Sequence, residues 1–236
     1  MSETRMRQVV LDTETTGLSP QNGDRVVEIG CVELMMRRPT GRTFQVYLNP
    51  QRPMSLEAVQ ITGLSDEFLQ DKPLFASVAD AFLEFIEGAE LVIHNADFDM
   101  GFLENELALL SDGRDGLAAR VSVLDTLKLA RSMYPGQRVS LDFLCRRLSV
   151  DNSGRDLHGA LLDAQLLAEV YLAMTSGQHE IGFSASEETK RAAVRARDTA
   201  SFRPRPHYLI SADDETAHAK RIAAIAKKSG VDLWSE

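Results

Sequence analysis

The chain has 236 residues and a formal net charge of −9, with 44% hydrophobic and 26% charged residues. These are ordinary values for a globular protein with a core, and they predict one domain plus an appendage. The negative charge argues against a broad basic surface that grips nucleic acid. No apolar run is long enough to span a bilayer, and the N-terminus lacks the apolar stretch of a secretion signal. Only Cys31 and Cys145 are present, each in an apolar segment, so we expect a cytoplasmic protein without disulfides or membrane contact.

The first part of the chain predicts a meander of three strands. Apolar segments with strand-forming residues cover 7–13, 26–35 and 43–48. A turn cluster at 15–20 follows the first segment, and we place a hairpin turn around Gly41 between the second and third. Because short connections join antiparallel strands, we expect these three strands to be antiparallel.

The remainder of the domain alternates helices with short buried strands. Apolar residues recur at helical spacing from Val78 to Ile86. Short apolar strands are predicted at 91–93 and 121–124. Further helices are predicted over residues 98–110, 125–133, 140–148 and 159–174. Such alternation implies parallel pairing, so the whole pattern predicts an α/β fold with a mixed five-stranded sheet flanked by helices.

The domain is expected to span residues 1–177. Residues 178–206 are predicted to form a flexible linker, because Ala, Ser, Glu and Arg dominate there and apolar residues are few. Residues 207–236 form a tail with one predicted helix over 213–228, which Gly230 closes.

Two acidic side chains close the first strand. Side chains alternate across a strand, so Asp12 and Glu14 point to the same face. Two neighbouring carboxylates repel each other unless a cation lies between them. A solvated strand end is the alternative, but the strand that leads to Asp12 is apolar and places the pair at the rim of a core.

Two more carboxylates lie on apolar helix faces. Asp99 heads a stripe that continues with Leu103 and Leu107, although a carboxylate at a helix start is also favoured by the helix dipole. Asp163 shares a face with Leu167, and an unpaired buried carboxylate is costly, so this group needs a partner. His158 precedes Asp163 by five residues, which places it just before the helix rather than on the same face. A hydrogen-bonded structural histidine is the alternative.

Two nearby aspartates are assigned other roles. Asp125 follows a short strand and opens a helix without acidic neighbours, so we predict that it caps that helix. Asp97 lies beside Asp99 but points in a different direction.

Three segments closely resemble the motifs of the exonuclease family that is named for its Asp-Glu-Asp-Asp carboxylates, in its histidine-containing branch. They are residues 11–17, 94–99 and 158–163. The resemblance implies a ribonuclease H-like fold and a 3′–5′ exonuclease. Residues 157–174 and the tail also resemble the proofreading (epsilon) subunits of bacterial DNA polymerase III, and the similarity extends over nearly the whole chain.

The family resemblance implies a role for each motif residue. Asp12, Glu14 and Asp163 would ligate divalent metal directly, and Asp99 would complete the site. His158 would act as general base. Two ions would be held, and oxygen ligands favour Mg²⁺ or Mn²⁺.

The same resemblance implies a set of residues that contact the terminal nucleotide. Asp12, Glu14 and Asp163 belong to this set as well as to the metal site. Glu57 and Thr62 lie in the segment that makes these contacts in the family, and Thr15 and Leu18 would line the pocket near the last base. Related sequences often carry a histidine where this chain has Thr62. A hydroxyl can hydrogen-bond the substrate but cannot stack on it.

The implied partners are the DNA 3′ end, a polymerase and a sliding clamp. The tail, residues 207–236, would bind the polymerase alpha subunit through apolar residues that have no core of their own, namely Ile222, Ile225, Leu233 and Trp234. Residues 178–183, Gln-His-Glu-Ile-Gly-Phe, resemble a peptide that docks on the bacterial clamp; ordinary linker is the alternative. A small third core subunit is a further candidate partner, for which the sequence gives no binding site. An RNA-directed exonuclease of the same family and a non-catalytic polymerase scaffold remain alternative functions.

Overall fold

The computed structural model describes residues 7–113, 115–155, 157–175 and 212–229. The chain divides into two units, Met1–Glu180 and Ile181–Glu236. The described part of the second unit is one helix, Ala212–Ser229, which confirms the helix predicted over 213–228. None of the described helices is long and apolar enough to cross a membrane.

The first unit is built on a mixed five-stranded sheet, as predicted. Its strands are β1 (Arg7–Thr15), β2 (Val26–Met35), β3 (Arg38–Tyr47), β4 (Glu90–Ile93) and β5 (Ser122–Asp125). They lie in the order β3-β2-β1-β4-β5. The first three strands pair antiparallel, whereas β1 with β4 and β4 with β5 pair parallel. The strand β1, which carries Asp12 and Glu14, is therefore the centre of the sheet.

Seven α-helices connect or cover these strands in the described part of the first unit, besides two short 3-10 helices at Pro20–Asn22 and Leu117–Ala119. They are α1 (Leu56–Thr62), α2 (Asp66–Leu69), α3 (Phe75–Ile86), α4 (Ala96–Leu110), α5 (Thr126–Met133), α6 (Leu141–Leu148) and α7 (Ala160–Thr175), and the tail helix is α8. Periodicity did not predict α1 and α2 because both are too short to show it. Their starts are nevertheless capped by serines, since Ser55 accepts from the amide of Ala58 and Ser65 from that of Phe68.

The hairpin between β2 and β3 turns at a different place from the one predicted. Met35 pairs with Arg38, so Met36 and Arg37 form a two-residue turn with φ of 49° and 63°. Gly41, where the turn was expected, lies inside β3. Two-residue hairpin turns need positive φ and usually contain Asn or Gly. Met36 and Arg37 carry neither signal, so the sequence pointed to the nearby glycine instead.

The two faces of β1 pack against different helices. Val9 and Leu11 belong to a buried cluster with Phe82 of α3 and Phe102 of α4. Val10 belongs to a second cluster with Leu167 of α7. The sheet is thus covered by α3 and α4 on one face and by α7 on the other. Cys31 and Cys145 are buried and unpaired, which confirms the expected absence of a disulfide between them.

Helix α7 begins in direct contact with the sheet. A Cβ atom added to Gly30 of β2 would lie 2.2 Å from the backbone of both Ala160 and Leu161. Gly30 is also the ladder partner of Asp12. The missing side chain therefore lets the start of α7 approach the sheet beside the end of β1.

We predict that Gly30→Ala lowers the free energy of unfolding by about 1–3 kcal/mol, because the added methyl group must push α7 away from the sheet. Gly101→Ala is the matched control, since a Cβ there meets no atom within 4 Å. Gly101 lies inside α4, so its replacement should stabilise the protein by roughly 0.5–1 kcal/mol. Urea unfolding measures both changes. An unchanged free energy of unfolding in Gly30→Ala would contradict the close approach.

Candidate active site

The four predicted carboxylates and His158 meet in one open pocket of about 770 Å³. Asp12 and Glu14 come from β1, Asp99 from the first turn of α4, and Asp163 from the first turn of α7. His158 lies just before α7, and its side chain is 46% exposed. Three elements that are distant in sequence thus bring these groups together.

Asp99 is fixed by the neighbouring strand. Its Oδ1 accepts two hydrogen bonds from Thr13, one from the amide at 3.0 Å and one from the hydroxyl at 2.7 Å. Thr13 lies between Asp12 and Glu14 on β1 and points to the opposite face. The strand therefore holds Asp99 in register with the two carboxylates that it carries.

Glu28 of β2 fixes the start of α7. This buried carboxylate accepts a hydrogen bond from the amide of Ala160 at 3.1 Å and one from the side-chain amide of Gln45 at 2.8 Å. A negative charge at a helix N-terminus is favoured by the helix dipole. Glu28 thus positions the turn that carries Asp163. Glu28 was not predicted as a site residue, although a charge inside the apolar strand β2 was a usable signal.

Burial and mutual repulsion make the site resist negative charge. Burial raises the pKa of Glu14 from 4.5 to about 8, with further contributions from Asp163 and Glu28. Burial also raises the pKa of Asp12 well above its ordinary value, with repulsion by Asp99, Glu14 and Asp163 adding to it. These carboxylates are stable as anions only if a cation joins them.

The donor set fits a divalent cation. One ligand atom each from Glu14, His158 and Asp163 lies within 4.8 Å of the others. Asp12 and Asp99 face the same pocket, so the donors are mainly carboxylate oxygens, which Mg²⁺ and Mn²⁺ prefer.

Three arginines line the pocket, Arg131, Arg138 and Arg155, and none of them was predicted. Arg155 contacts Asp163 through Nε at 2.5 Å and through Nη2 at 2.6 Å, and Nη2 lies 3.0 Å from Nδ1 of His158. It also donates to Asp142 of α6. Arg155 precedes α7 in a segment without regular structure, so no periodicity linked it to Asp163.

The four other residues predicted to contact the terminal nucleotide do not line this pocket. The Thr15 hydroxyl donates to the carbonyl of Gly17, and Leu18 is 86% exposed. Glu57 is exposed in the first turn of α1. Thr62 is buried, and its hydroxyl donates to the carbonyl of Ala58 in its own helix, so it faces inward. Their contacts with substrate stay predictions.

The two aspartates that were assigned other roles behave as predicted. Asp125 caps α5 by accepting from the amides of Leu127 and Lys128. Asp97 is 83% exposed and pairs with Lys128 at 3.2 Å. Neither lines the pocket that holds Asp99.

Comparison with known proteins defines the class. A family model described as Exonuclease (RNase T) matches residues 9–171. The solved structure of Exonuclease X in complex with 5′ overhanging duplex DNA is 25% identical with a TM-score of 0.56, and the match covers 72% of this chain and 91% of that one. The chain belongs to this exonuclease family and has its ribonuclease H-like fold, as the motifs predicted.

Comparison with curated relatives assigns the chain to one group within this exonuclease family. DNA polymerase III subunit epsilon of Salmonella typhimurium is 48% identical over 241 aligned positions, which cover 99% of both chains. The same subunit of Rickettsia felis is 54% identical over 173 positions, which cover 73% of this chain and 76% of the relative. The chain is a member of the DNA polymerase III epsilon subunit family.

We predict that the metal-free protein loses stability as pH rises from about 4 to 8. Asp12, Glu14 and Asp99 have raised pKa values, with Asp99 at about 7 and Glu14 at about 8. Groups with raised pKa values bind more protons in the folded state, so they stabilise it at low pH and cease to do so as pH passes those values.

Thermal unfolding in a chelator at several pH values measures this loss, and Mg²⁺ should reduce it by neutralising the carboxylates. Glu14→Gln should flatten the pH dependence, whereas Asp97→Asn, which changes an exposed carboxylate, should leave it intact. A metal-free protein that gains stability over this range would contradict the electrostatic description.

Proposed function

We propose that this chain is the proofreading exonuclease of a replicative DNA polymerase III and hydrolyses the 3′-terminal phosphodiester of DNA. The products are a 5′-nucleoside monophosphate and a strand one nucleotide shorter. The convergence of Asp12, Glu14, Asp99 and Asp163 beside His158 carries the proposal. End-to-end similarity to epsilon subunits supports the DNA substrate and, together with the free cysteines, a cytoplasmic location.

Asp12, Glu14 and Asp163 are proposed to hold two divalent ions, Mg²⁺ or Mn²⁺, with Asp99 completing the site. When bound, such ions supply a more acidic water and relieve charge on the leaving oxygen. The four carboxylates would bind these ions and orient them. The two hydrogen bonds from Thr13 hold the Asp99 side chain in place.

His158 is proposed as the general base. Its side chain is accessible at the pocket, and its Nδ1 lies 3.4 Å from Oδ2 of Asp163. A neutral imidazole has one ring nitrogen with a lone pair, so it can accept the proton of an attacking water. Its backbone amide donates to the carbonyl of Ile61 at 3.0 Å, which ties the base to helix α1.

The side of the site next to α1 is proposed to receive the terminal nucleotide. Exposed Glu57 and Leu18 offer a polar and an apolar contact, and Thr15 supports the loop that carries Leu18. Thr62 would act through the end of α1, since its hydroxyl is already bonded within the helix.

Tethering is proposed to compensate for the acidic charge. With a net charge of −9, the free enzyme should hold DNA weakly, and a bound polymerase would supply effective concentration instead. The tail, 207–236, is proposed to bind the polymerase alpha subunit, and 178–183 the sliding clamp. Among the α8 side chains that the structure describes, all are exposed except Ile222, which is partly buried. Residues 178–183, Leu233 and Trp234 lie outside the described residues.

We predict that His158→Ala lowers turnover on 3′-labelled DNA by roughly 10²–10⁴-fold, because it removes the proton acceptor. Mn²⁺ binding, measured by calorimetry, should weaken far less, since the four carboxylates remain. Full turnover in His158→Ala would refute its role as base.

The same assay with 3′-labelled RNA tests the substrate. Faster hydrolysis of RNA than of DNA would favour the RNA-directed alternative. Release of no nucleotide from either substrate would favour a non-catalytic scaffold.

We predict that deletion of residues 207–236 abolishes binding to the polymerase alpha subunit but spares nuclease activity, because the carboxylate site lies within 12–163. A Gln178→Ala, Phe183→Ala double variant should weaken clamp binding and leave alpha binding intact. Surface-immobilised binding measurements separate the two partners. Undiminished alpha binding after the deletion would refute the tail assignment, and undiminished clamp binding in the double variant would refute the clamp peptide.

A further inference from the structure

Arg155 contacts both a proposed metal ligand and the proposed general base. Its Nε and Nη2 bind the two oxygens of Asp163, at 2.5 and 2.6 Å, so the guanidinium covers that carboxylate as a fork. The side chains of Arg155 and Asp163 are only 7% and 4% exposed. On the other side the guanidinium binds Asp142, which is 42% exposed.

The same guanidinium determines what His158 can do. All guanidinium nitrogens are donors, so Nδ1 of His158 must be the acceptor in its 3.0 Å contact with Nη2 of Arg155. The lone pair of Nδ1 is therefore engaged. The longer 3.4 Å approach of Nδ1 to Asp163 cannot be a hydrogen bond at the same time, because both atoms are acceptors.

We propose that Arg155 competes with divalent metal for Asp163 and moves away from this carboxylate when metal binds, which frees His158. This inference rests on the proposed function. A divalent ion that binds Asp163 needs an oxygen that Arg155 covers, and two cations at one carboxylate repel each other. Metal loading and release of the base are thus coupled through one side chain.

The surroundings of Arg155 permit this movement. It lies between the end of α6 at Leu148 and the start of α7 at Ala160, so its displacement breaks no helix. Asp142 offers a partner nearer to solvent, on which the guanidinium can rest after it leaves Asp163. The single positive charge of Arg155 also cannot balance the negative charges of four carboxylates, namely Asp12, Glu14, Asp99 and Asp163. The site therefore still favours the binding of a further cation.

The first test is calorimetric titration of Mn²⁺ into the metal-free full-length chain. The entering ion must displace at least one charge-assisted hydrogen bond between Arg155 and Asp163, so Arg155→Gln should bind Mn²⁺ roughly tenfold more tightly than wild type. Arg131→Gln is the matched control, because it removes one positive charge from the wall of the same pocket and leaves the Asp163 fork in place. Its affinity should change much less.

The second test uses the unmodified chain and does not depend on how a variant folds. Nitrogen NMR of His158, assigned by comparison with His158→Gln, should show an accepting Nδ1 in chelator and a changed Nδ1 environment in Mg²⁺. Equal Mn²⁺ affinities for Arg155→Gln and Arg131→Gln would overturn this proposal. An Nδ1 signal that is the same with and without bound Mg²⁺ would also overturn it. Failure of the wild-type chain to bind either ion would instead refute the proposed metal site.

Discussion

Repulsion among buried carboxylates is the interaction on which the arrangement of this molecule depends. Asp12 and Glu14 are placed side by side by the alternation of β1, and the starts of α4 and α7 bring Asp99 and Asp163 against them. Burial then makes each negative charge more costly than it would be in water. Repulsion among the carboxylates therefore favours the binding of cations at this site, and bound metal would relieve that repulsion.

The rest of the fold holds these groups together against that repulsion. Thr13 fixes Asp99 from the opposite face of β1, and Glu28 caps α7 from β2. Gly30 lets α7 lie directly on the sheet. Each of these contacts fixes one helix that carries a carboxylate of the site. The packed sheet and helices together therefore hold the carboxylates close to one another despite their repulsion. The acidic charge of the chain fits the same logic if a partner, rather than a basic surface, keeps DNA near the site.

The sequence predicted those features of the site and fold that depend on local sequence patterns. Alternation placed Asp12 and Glu14 on one face, and helical spacing placed Asp99 and Asp163 at the heads of apolar stripes. The helix cap at Asp125 followed from its position after a strand. These inferences needed only neighbours in sequence, together with motif resemblance for the roles.

What the sequence missed depends on contacts between distant segments. Arg155 reaches Asp142 across thirteen residues, and buried Glu106 meets Arg25 across eighty-one. No periodicity links such pairs. The hairpin turn at Met36 and Arg37 was missed for a different reason, since its residues carry no turn signal although their φ is positive. The hydrogen bond from the Thr62 hydroxyl to the carbonyl of Ala58 was also not predicted, and the contact of Thr62 with substrate stays a prediction.

The most direct measurement is the release of 5′-nucleoside monophosphate from 3′-labelled DNA by wild type, Asp12→Asn and Asp97→Asn, with Mg²⁺ and with chelator. Asp97→Asn is matched to the test variant because it also replaces one carboxylate, but an exposed one outside the pocket. We expect Mg²⁺-dependent release by wild type and Asp97→Asn, and almost none by Asp12→Asn. Release by Asp12→Asn at the wild-type rate, or release that persists in chelator, would contradict this expectation.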